Sequence, residues 1–190
     1  MNKAAFLDRD GVINRKAPQG EYITRWEDMQ FLPGVGEAIG LLNRAGFLVI
    51  VVTNQRCVAK GLITQAELEA MHERMRDELA RVGSTLDAVY YCPHELEPAC
   101  TCRKPRPGLL LEAARAHNLD LPISWMIGDS DIDVEAGRSA GCNTVRLLGS
   151  GESESGKPDL VAQSLLDAAR KILQWGDAKK ASPSQRQPIQ

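Results

Sequence analysis

The sequence lacks both a long apolar run and an excess of charge. Its longest uninterrupted apolar stretch covers residues 47–52, far short of the roughly 18 residues that a transmembrane helix needs. The 23 Lys and Arg nearly balance the 25 Asp and Glu, which gives a formal net charge of −2. Proteins that bind nucleic acid or a membrane surface usually carry a basic excess, so we expect neither partner here.

We expect no cleavable signal segment, and the number of cysteines is odd. The first residues run directly into a structured pattern, without the apolar segment and cleavage site of a secreted protein. We therefore expect a cytoplasmic protein. Its five Cys are an odd number, which counts against a fully paired disulfide framework. In a reducing compartment, a cluster of Cys indicates a metal site or reactive thiols.

What is present is typical of one folded domain. The 190 residues are 43% apolar and 25% charged, as in an average globular domain. We expect this domain to cover residues 1–175 and to act as a monomer. Residues 176–190 are rich in Lys, Ser, Pro and Gln. They are predicted to form a disordered tail, because they hold almost nothing that a core could bury.

The apolar pattern alternates between strands and helices. Short apolar runs predict strands at residues 4–7, 47–52, 88–91, 125–127 and 144–148. Helical spacing and capping signals predict helices at residues 33–46, 64–79, 107–117, 134–140 and 165–173. This order implies an α/β fold with a doubly wound, mostly parallel sheet and helices on both faces. Ligands of such sheets bind beyond the carboxyl ends of the strands.

Polar residues collect at those strand ends. Asp8 and Asp10 follow the first strand, Thr53 and Asn54 the second, and Asp129 the fourth. Two adjacent carboxylates repel unless they share a cation or a proton, and Mg²⁺ prefers oxygen ligands of this kind. With the metal in place, Asp8 can act as a nucleophile on a phosphoryl group and Asp10 as a general acid. Thr53 and Asn54 can bind phosphate oxygens.

Each of these residues also has an ordinary structural interpretation. A single Asp after a strand is more often a turn former or a helix cap. The adjacent cations Arg103 and Lys104 could bind a phosphate, but alone they would more often be a solvated surface pair. Three acidic strand ends together favour a site.

Four segments occur in the order and context of the motifs of one family. They are Asp8-Arg9-Asp10-Gly11, Thr53-Asn54-Gln55, Cys102-Arg103-Lys104-Pro105 and Gly128-Asp129-Ser130-Asp131-Ile132-Asp133. In these four segments, the chain resembles the phosphatases of the haloacid dehalogenase superfamily. The resemblance covers about residues 4–148. The first motif of the family usually ends in Thr, where this sequence has Val12. That change is not expected to abolish activity.

The resemblance implies a Rossmann-like fold without a large cap domain and a Mg²⁺-dependent phosphomonoester hydrolase. Asp8 would form an aspartyl-phosphate, and Asp10 would protonate the leaving group and then activate water. Thr53 and Lys104 would stabilise the phosphoryl group. Asp129 would hold the metal together with Asp8 and the backbone carbonyl of Asp10.

A compact set of soft ligands ends at the first residue of the third motif. Cys92, His94, Cys100 and Cys102 supply the four tetrahedral ligands of a closed, structural Zn²⁺ site. Zinc would order the loop 92–102, which has no regular pattern of its own, and would aim Arg103 and Lys104 at the phosphate. The alternative is a chance cluster of reduced Cys. Cys57 and Cys142 lie outside the set, and Cys142 is expected to be buried.

Within the superfamily, a short chain with such a loop resembles the branch that contains sugar-bisphosphate and histidinol-phosphate phosphatases. The loop 54–61 resembles the sugar-bisphosphate enzymes, although Arg56-Cys57 replaces the Ser-Gly of those enzymes. An open site suits a small phosphorylated sugar, and Arg103 is predicted to contact it beyond the transferred phosphate. The alternatives are histidinol phosphate, a nucleic-acid 3′-phosphate, and a non-catalytic zinc-bearing module.

Overall fold

The computed structural model describes residues 1–149 and 156–181. Its strands are β1 (Lys3–Leu7), β2 (Phe47–Asn54), β3 (Ala88–Cys92), β4 (Trp125–Gly128), β5 (Asn143–Leu147) and β6 (Leu160–Ala162). Its α-helices are α1 (Val35–Arg44), α2 (Gln65–Arg81), α3 (Gly108–His117), α4 (Asp131–Ala140) and α5 (Leu165–Ala181). Short 3₁₀ turns lie at Trp26–Asp28 and Leu121–Ile123. None of the described helices is long and apolar enough to cross a membrane.

The strands form one parallel sheet in the order β3-β2-β1-β4-β5-β6. The chain starts in the middle at β1, moves outward to β3, and then returns to β4 on the other side of β1. The predicted doubly wound architecture is therefore confirmed. Leu7 lies opposite Val51 in β2 and Ile127 in β4, so the residues that follow these three strands meet at one edge. The order of the strands reverses between β1 and β4, which is where such sheets bind ligands.

The central strands are covered on both faces. Along β1, Ala5 and Leu7 pack into the core shared with α1, α2 and α5, whereas Ala4 and Phe6 pack into the core shared with α3 and α4. All four are 0% exposed. The continuous apolar runs of the inner strands follow from this, because alternate side chains enter different cores.

Helix ends follow the sequence signals. Thr64 Oγ1 accepts a hydrogen bond from the Glu67 amide at 3.2 Å, and Glu67 Oε2 accepts one from the Thr64 amide at 2.8 Å, which confirms the predicted capping box. Gly141 ends α4 with a φ of 87°, a left-handed conformation that glycine adopts without strain.

Two elements differ from the sequence prediction. The edge strand β6 has three residues, too few for a periodic signal. Helix α5 runs to Ala181 instead of ending at residue 173, and it therefore crosses the predicted boundary at residues 175–176. Lys and Ala are good helix formers, which explains the extension through Lys179 and Lys180. The rest of the predicted tail, residues 182–190, lies outside the described residues.

Candidate active site

Lys104 lies between two carboxylates at the carboxyl edge of the sheet. Its Nζ is 2.9 Å from Asp8 Oδ1 and 2.6 Å from Asp133 Oδ1, and its side chain is 1% exposed. Burial alone would lower the pKa of Lys104, but Asp133 and Asp8 outweigh it and raise that pKa. The ammonium group is therefore charged and fixed beside the predicted nucleophile.

Asn54 holds the backbone of Lys104. Its amide nitrogen donates to the Lys104 carbonyl at 3.1 Å, and its amide oxygen accepts from the Lys104 amide at 3.1 Å. Both ends of the Asn54 side chain are thus used to position Lys104. The predicted contact between Asn54 and phosphate stays a prediction.

Asp133 is a site residue that the sequence analysis did not select. It is 0% exposed, and its Oδ2 accepts from the Ser130 amide at 3.1 Å and from the Ser130 hydroxyl group. A Cβ on Gly128 would lie 2.1 Å from the Asp133 Cβ, so the close approach requires glycine at that position. The signal was available in the Ser130-x-x-Asp133 spacing of a capping box.

Three carboxylates converge at this edge. Asp8, Asp129 and Asp133 offer oxygen atoms that all lie within 4.8 Å of one another. Asp129 Oδ2 is 2.5 Å from Lys16 Nζ, whereas the buried Asp129 Oδ1 has no hydrogen-bond partner in the described part of the chain. Oxygen ligands with one buried lone acceptor suit a hard cation such as Mg²⁺. The donor set therefore fits the predicted metal.

Burial raises the pKa values of two carboxyl groups in this cluster. It raises the pKa of Asp8 to about 7, with Asp133 and Asp10 adding to the rise and Lys104 opposing it. Burial also raises the pKa of Asp129, although Lys16 opposes that shift. Both directions mean that the ionised carboxylates lack sufficient positive charge nearby, which a divalent cation would supply.

Asp10 is held by a different set of groups. It accepts hydrogen bonds from Arg9 Nη2 at 3.0 Å, Asn14 Nδ2 at 2.8 Å and Gln55 Nε2 at 3.0 Å. Burial alone would raise the pKa of Asp10, but the Arg9 guanidinium and these hydrogen bonds lower it below its ordinary value. The predicted metal ligands, the Asp8 and Asp129 carboxylates and the Asp10 backbone carbonyl, stay a prediction. The Asp133 carboxylate lies in the same cluster as those of Asp8 and Asp129, and the Asp10 carboxylate faces Arg9.

The predicted phosphate-binding hydroxyl lies at the end of β2. Thr53 is 1% exposed, and its Oγ1 accepts a hydrogen bond from Gln55 Nε2 at 2.9 Å. Its own hydroxyl proton can still be donated. Gln55 thus links Thr53 to Asp10, a role that its place in the motif alone did not predict.

The four soft ligands form a compact group. Cys92 Sγ lies 3.5 Å from Cys100 Sγ and 3.6 Å from His94 Nδ1. Cys102 Sγ lies 3.2 Å from His94 Nδ1 and 3.4 Å from Cys100 Sγ. Separations of this size match the edges of a zinc tetrahedron with bonds of about 2.0–2.3 Å. The cluster could hold a metal ion.

A cleft of about 490 Å³ includes Lys104 in its lining. It is also lined by Arg103 and Arg106, by Glu97, and by the exposed apolar side chains of Leu96 and Ile132. Arg103 Nη1 is buried and has no hydrogen-bond partner within the described residues. This donor therefore lacks an acceptor that an anionic part of a ligand could supply.

The two residues that depart from the family loop have separate roles. Arg56 forms an ion pair with Glu95 of the loop 92–102. Cys57 is 0% exposed and lies 3.5 Å from Gln55 Oε1. Cys142 is 8% exposed, as expected for a small buried residue. All five thiols are free.

Comparisons with known proteins agree with this geometry. The HAD-hydrolase-like family model matches residues 101–168. A D-glycero-beta-D-manno-heptose-1,7-bisphosphate 7-phosphatase of Rhodopseudomonas palustris is 42% identical over 153 residues, 77% of this chain and 83% of the relative. The enzyme of the same name from Pseudomonas aeruginosa is 39% identical over 89% of this chain and 97% of the relative. The chain belongs to the haloacid dehalogenase-like phosphatases.

A solved structure extends the agreement for this phosphatase. The D,D-heptose 1,7-bisphosphate phosphatase of B. bronchiseptica, crystallised with magnesium and phosphate, superposes with a TM-score of 0.81 and 34% identity. The match covers 91% of this chain and 99% of that structure. The predictions of family, fold and phosphatase activity are confirmed, and phosphatases of this family use Mg²⁺.

Proposed function

We propose that this phosphatase removes the 7-phosphate of D-glycero-D-manno-heptose 1,7-bisphosphate. The observation that carries the proposal is the Asp8–Lys104 pair at 2.9 Å beside Asp10, since Lys104 also lines the cleft that contains Arg103 and Arg106. A nucleophile, an acid and a phosphate-binding cation are thereby within reach of one phosphoryl group. The names of the relatives and the loop 54–61 support the heptose substrate.

The reaction divides into two transfers. Arg9 favours the carboxylate form of Asp10, so Asp10 takes up a proton before it acts as the acid. Asp8 then attacks phosphorus and forms an aspartyl-phosphate while the protonated Asp10 donates its proton to the departing sugar oxygen. Asp10, now a carboxylate, then removes a proton from the water that hydrolyses the aspartyl-phosphate. Thr53 and Lys104 bind the phosphoryl oxygens, whose charge grows along the reaction.

Asp8, Asp129 and Asp133, with the backbone carbonyl of Asp10, would hold Mg²⁺. When bound, the metal neutralises charge on the phosphoryl group and on the carboxylates. The protein prepares the rest: Lys104 keeps Asp8 oriented, and Asn54 keeps Lys104 in place. The soft ligand set Cys92, His94, Cys100 and Cys102 would hold a structural Zn²⁺ without an open position.

Substrate choice is assigned to the cleft. Arg103 and Arg106 offer positive charge beyond the transferred phosphate, which suits the second phosphate of a sugar bisphosphate. Leu96 and Ile132 can contact the carbon skeleton of the sugar. A monomer without a nucleic-acid partner remains our prediction.

The test is phosphate release from a panel of esters with Mg²⁺. The panel contains both anomers of heptose 1,7-bisphosphate, histidinol phosphate, a simple hexose 6-phosphate and a 3′-phosphorylated oligonucleotide. We expect the wild type to show its highest kcat/KM with a heptose bisphosphate. In R103M, the preference for this bisphosphate over the hexose 6-phosphate should be lost. Higher kcat/KM for histidinol phosphate or the oligonucleotide would overturn the substrate assignment.

A further inference from the structure

A histidine interrupts the apolar face of α2. Leu68, Met71, Met75 and Leu79 fill the core from this helix, and His72 lies among them with 4% exposure. Its ring packs edge-to-face against Tyr91, with centroids 5.6 Å apart. Burying a polar ring costs free energy unless it finds a hydrogen-bond partner, so the partner of His72 is informative.

That partner is Arg9, between the two predicted catalytic aspartates. His72 Nε2 lies 3.1 Å from Arg9 Nη1. A guanidinium group only donates, so Nε2 accepts, and the neutral ring carries its proton on Nδ1. Burial first, and the positive charge of Arg9 second, lower the pKa of His72 to about 3. His72 is therefore a fixed acceptor across the working range of pH.

The other side of Arg9 binds Asp10. Arg9 Nη2 lies 3.0 Å from Asp10 Oδ2, and Arg9 Nε lies 3.2 Å from Asp10 Oδ1. The guanidinium group is thus held by His72 at one end and by Asp10 at the other. Arg9 is 0% exposed, so water cannot replace either partner. Because the fork is rigid, an anchor at one end fixes the orientation at the other.

We propose that His72 is a positioning residue of the phosphatase reaction, which acts through Arg9 to hold Asp10 where it protonates the leaving oxygen. The inference rests on the acid role of Asp10 in the proposed function. Without the acceptor at Nε2, a buried Arg9 donor loses its partner, and the guanidinium shifts toward another acceptor. A displacement of about 1 Å in an acid costs up to about a hundredfold in rate.

The test compares two esters that differ in their need for an acid. The leaving group of benzyl phosphate must be protonated, whereas the p-nitrophenolate of p-nitrophenyl phosphate leaves readily without a proton. Release of each alcohol is measured in a single turnover with Mg²⁺ and enzyme in excess. We expect H72L to slow the benzyl ester about tenfold or more and the nitrophenyl ester less than twofold. H72Q, which keeps an acceptor near Nε2, should restore most of the benzyl rate.

Two controls separate the possible failures. M75A removes a buried side chain from the same face of α2 and should leave the ratio of the two rates unchanged, although it lowers stability. D10N should change the ratio more than H72L does. If D10N leaves the ratio unchanged, the acid role in the proposed function is wrong. If D10N changes it and folded H72L and H72Q both match wild type, the inference about His72 alone is wrong.

Discussion

The acid cluster and the loop 92–102 lie side by side, yet they are built in opposite ways. Asp8, Asp129 and Asp133 follow strands or begin a helix whose apolar residues are buried, so the sheet itself places them. The loop exposes most of its residues between His94 and Cys100 and has no strand or helix there. The first site is therefore organised by the core, whereas we expect the order of the second to depend on a bound metal.

The largest expected effect separates chemistry from folding in the acid cluster. D8N keeps the shape of Asp8 but removes the nucleophile, so turnover should fall at least a thousandfold. The core should be unchanged, because Asn can still accept from Lys104. Phosphate release and urea unfolding of the same preparation give the two readouts. Near-wild-type turnover would contradict the nucleophile role.

The next effect shows how strongly the cluster depends on one cation. K104M leaves Asp8 and Asp133 buried without their partner, which should lower the free energy of unfolding by about 3–5 kcal/mol. The matched control is K171M, which breaks the partly exposed Lys171–Asp167 pair at 2.9 Å and should cost less than about 1 kcal/mol. D133N should recover part of the loss when combined with K104M. Equal effects of K104M and K171M would refute the role of Lys104 in the core.

His72 lies on α2, beside Arg9, and it makes the stability of the fold depend on acid. His72 is neutral in the folded state with a pKa of about 3, but it has a pKa of about 6.5 when unfolded. Its contribution to stability is full above pH 6.5 and falls as pH drops toward 3, by about 2 kcal/mol at pH 5. Arg9, Asp10, Glu69 and the ring of Tyr91 surround it.

Urea unfolding of wild type and H72Q between pH 7 and pH 5 isolates this contribution. The other titrating groups are common to both proteins, so the wild type should lose about 2 kcal/mol more than the variant over this range. Parallel pH dependences would show that His72 is not buried in its neutral form.

Metal removal tests the second region. Protein purified without a chelator should hold about one zinc per chain, and C100A should hold none. After chelation and return of Mg²⁺, we expect protease cleavage between residues 95 and 99 and about a tenfold lower kcat/KM on the bisphosphate, because Arg103 loses its support. Urea unfolding of the core should change little. Full protease protection without zinc would contradict this dependence.

The same contrast explains what the sequence could predict. Asp8 and Asp129 were found because a buried strand has a local apolar signal and its end is marked by the next polar residue. Cys92, His94, Cys100 and Cys102 were found because ligand type and spacing are local too. Asp133 has the sequence signature of a helix cap, and only the approach of Lys104 from another part of the chain gives it a second role. His72 is similar, because its contact with Arg9 spans 63 positions.

The smallest expected effect tests whether the two regions are coupled. Arg56, in the loop after β2, forms an ion pair with Glu95 in the loop 92–102, and their side chains are 29% and 39% exposed. A pair with this exposure contributes at most about 1 kcal/mol. R56S and E95Q should therefore change the free energy of unfolding little.

Their coupling is better measured in substrate binding. If the pair holds the two loops over the cleft, R56S and E95Q should each raise KM for the bisphosphate two- to fivefold, and the double variant should do no more than either alone. kcat should stay near wild type, since neither residue touches Asp8 or Asp10. Fully additive changes in KM would show that the Arg56–Glu95 pair does not couple the two loops.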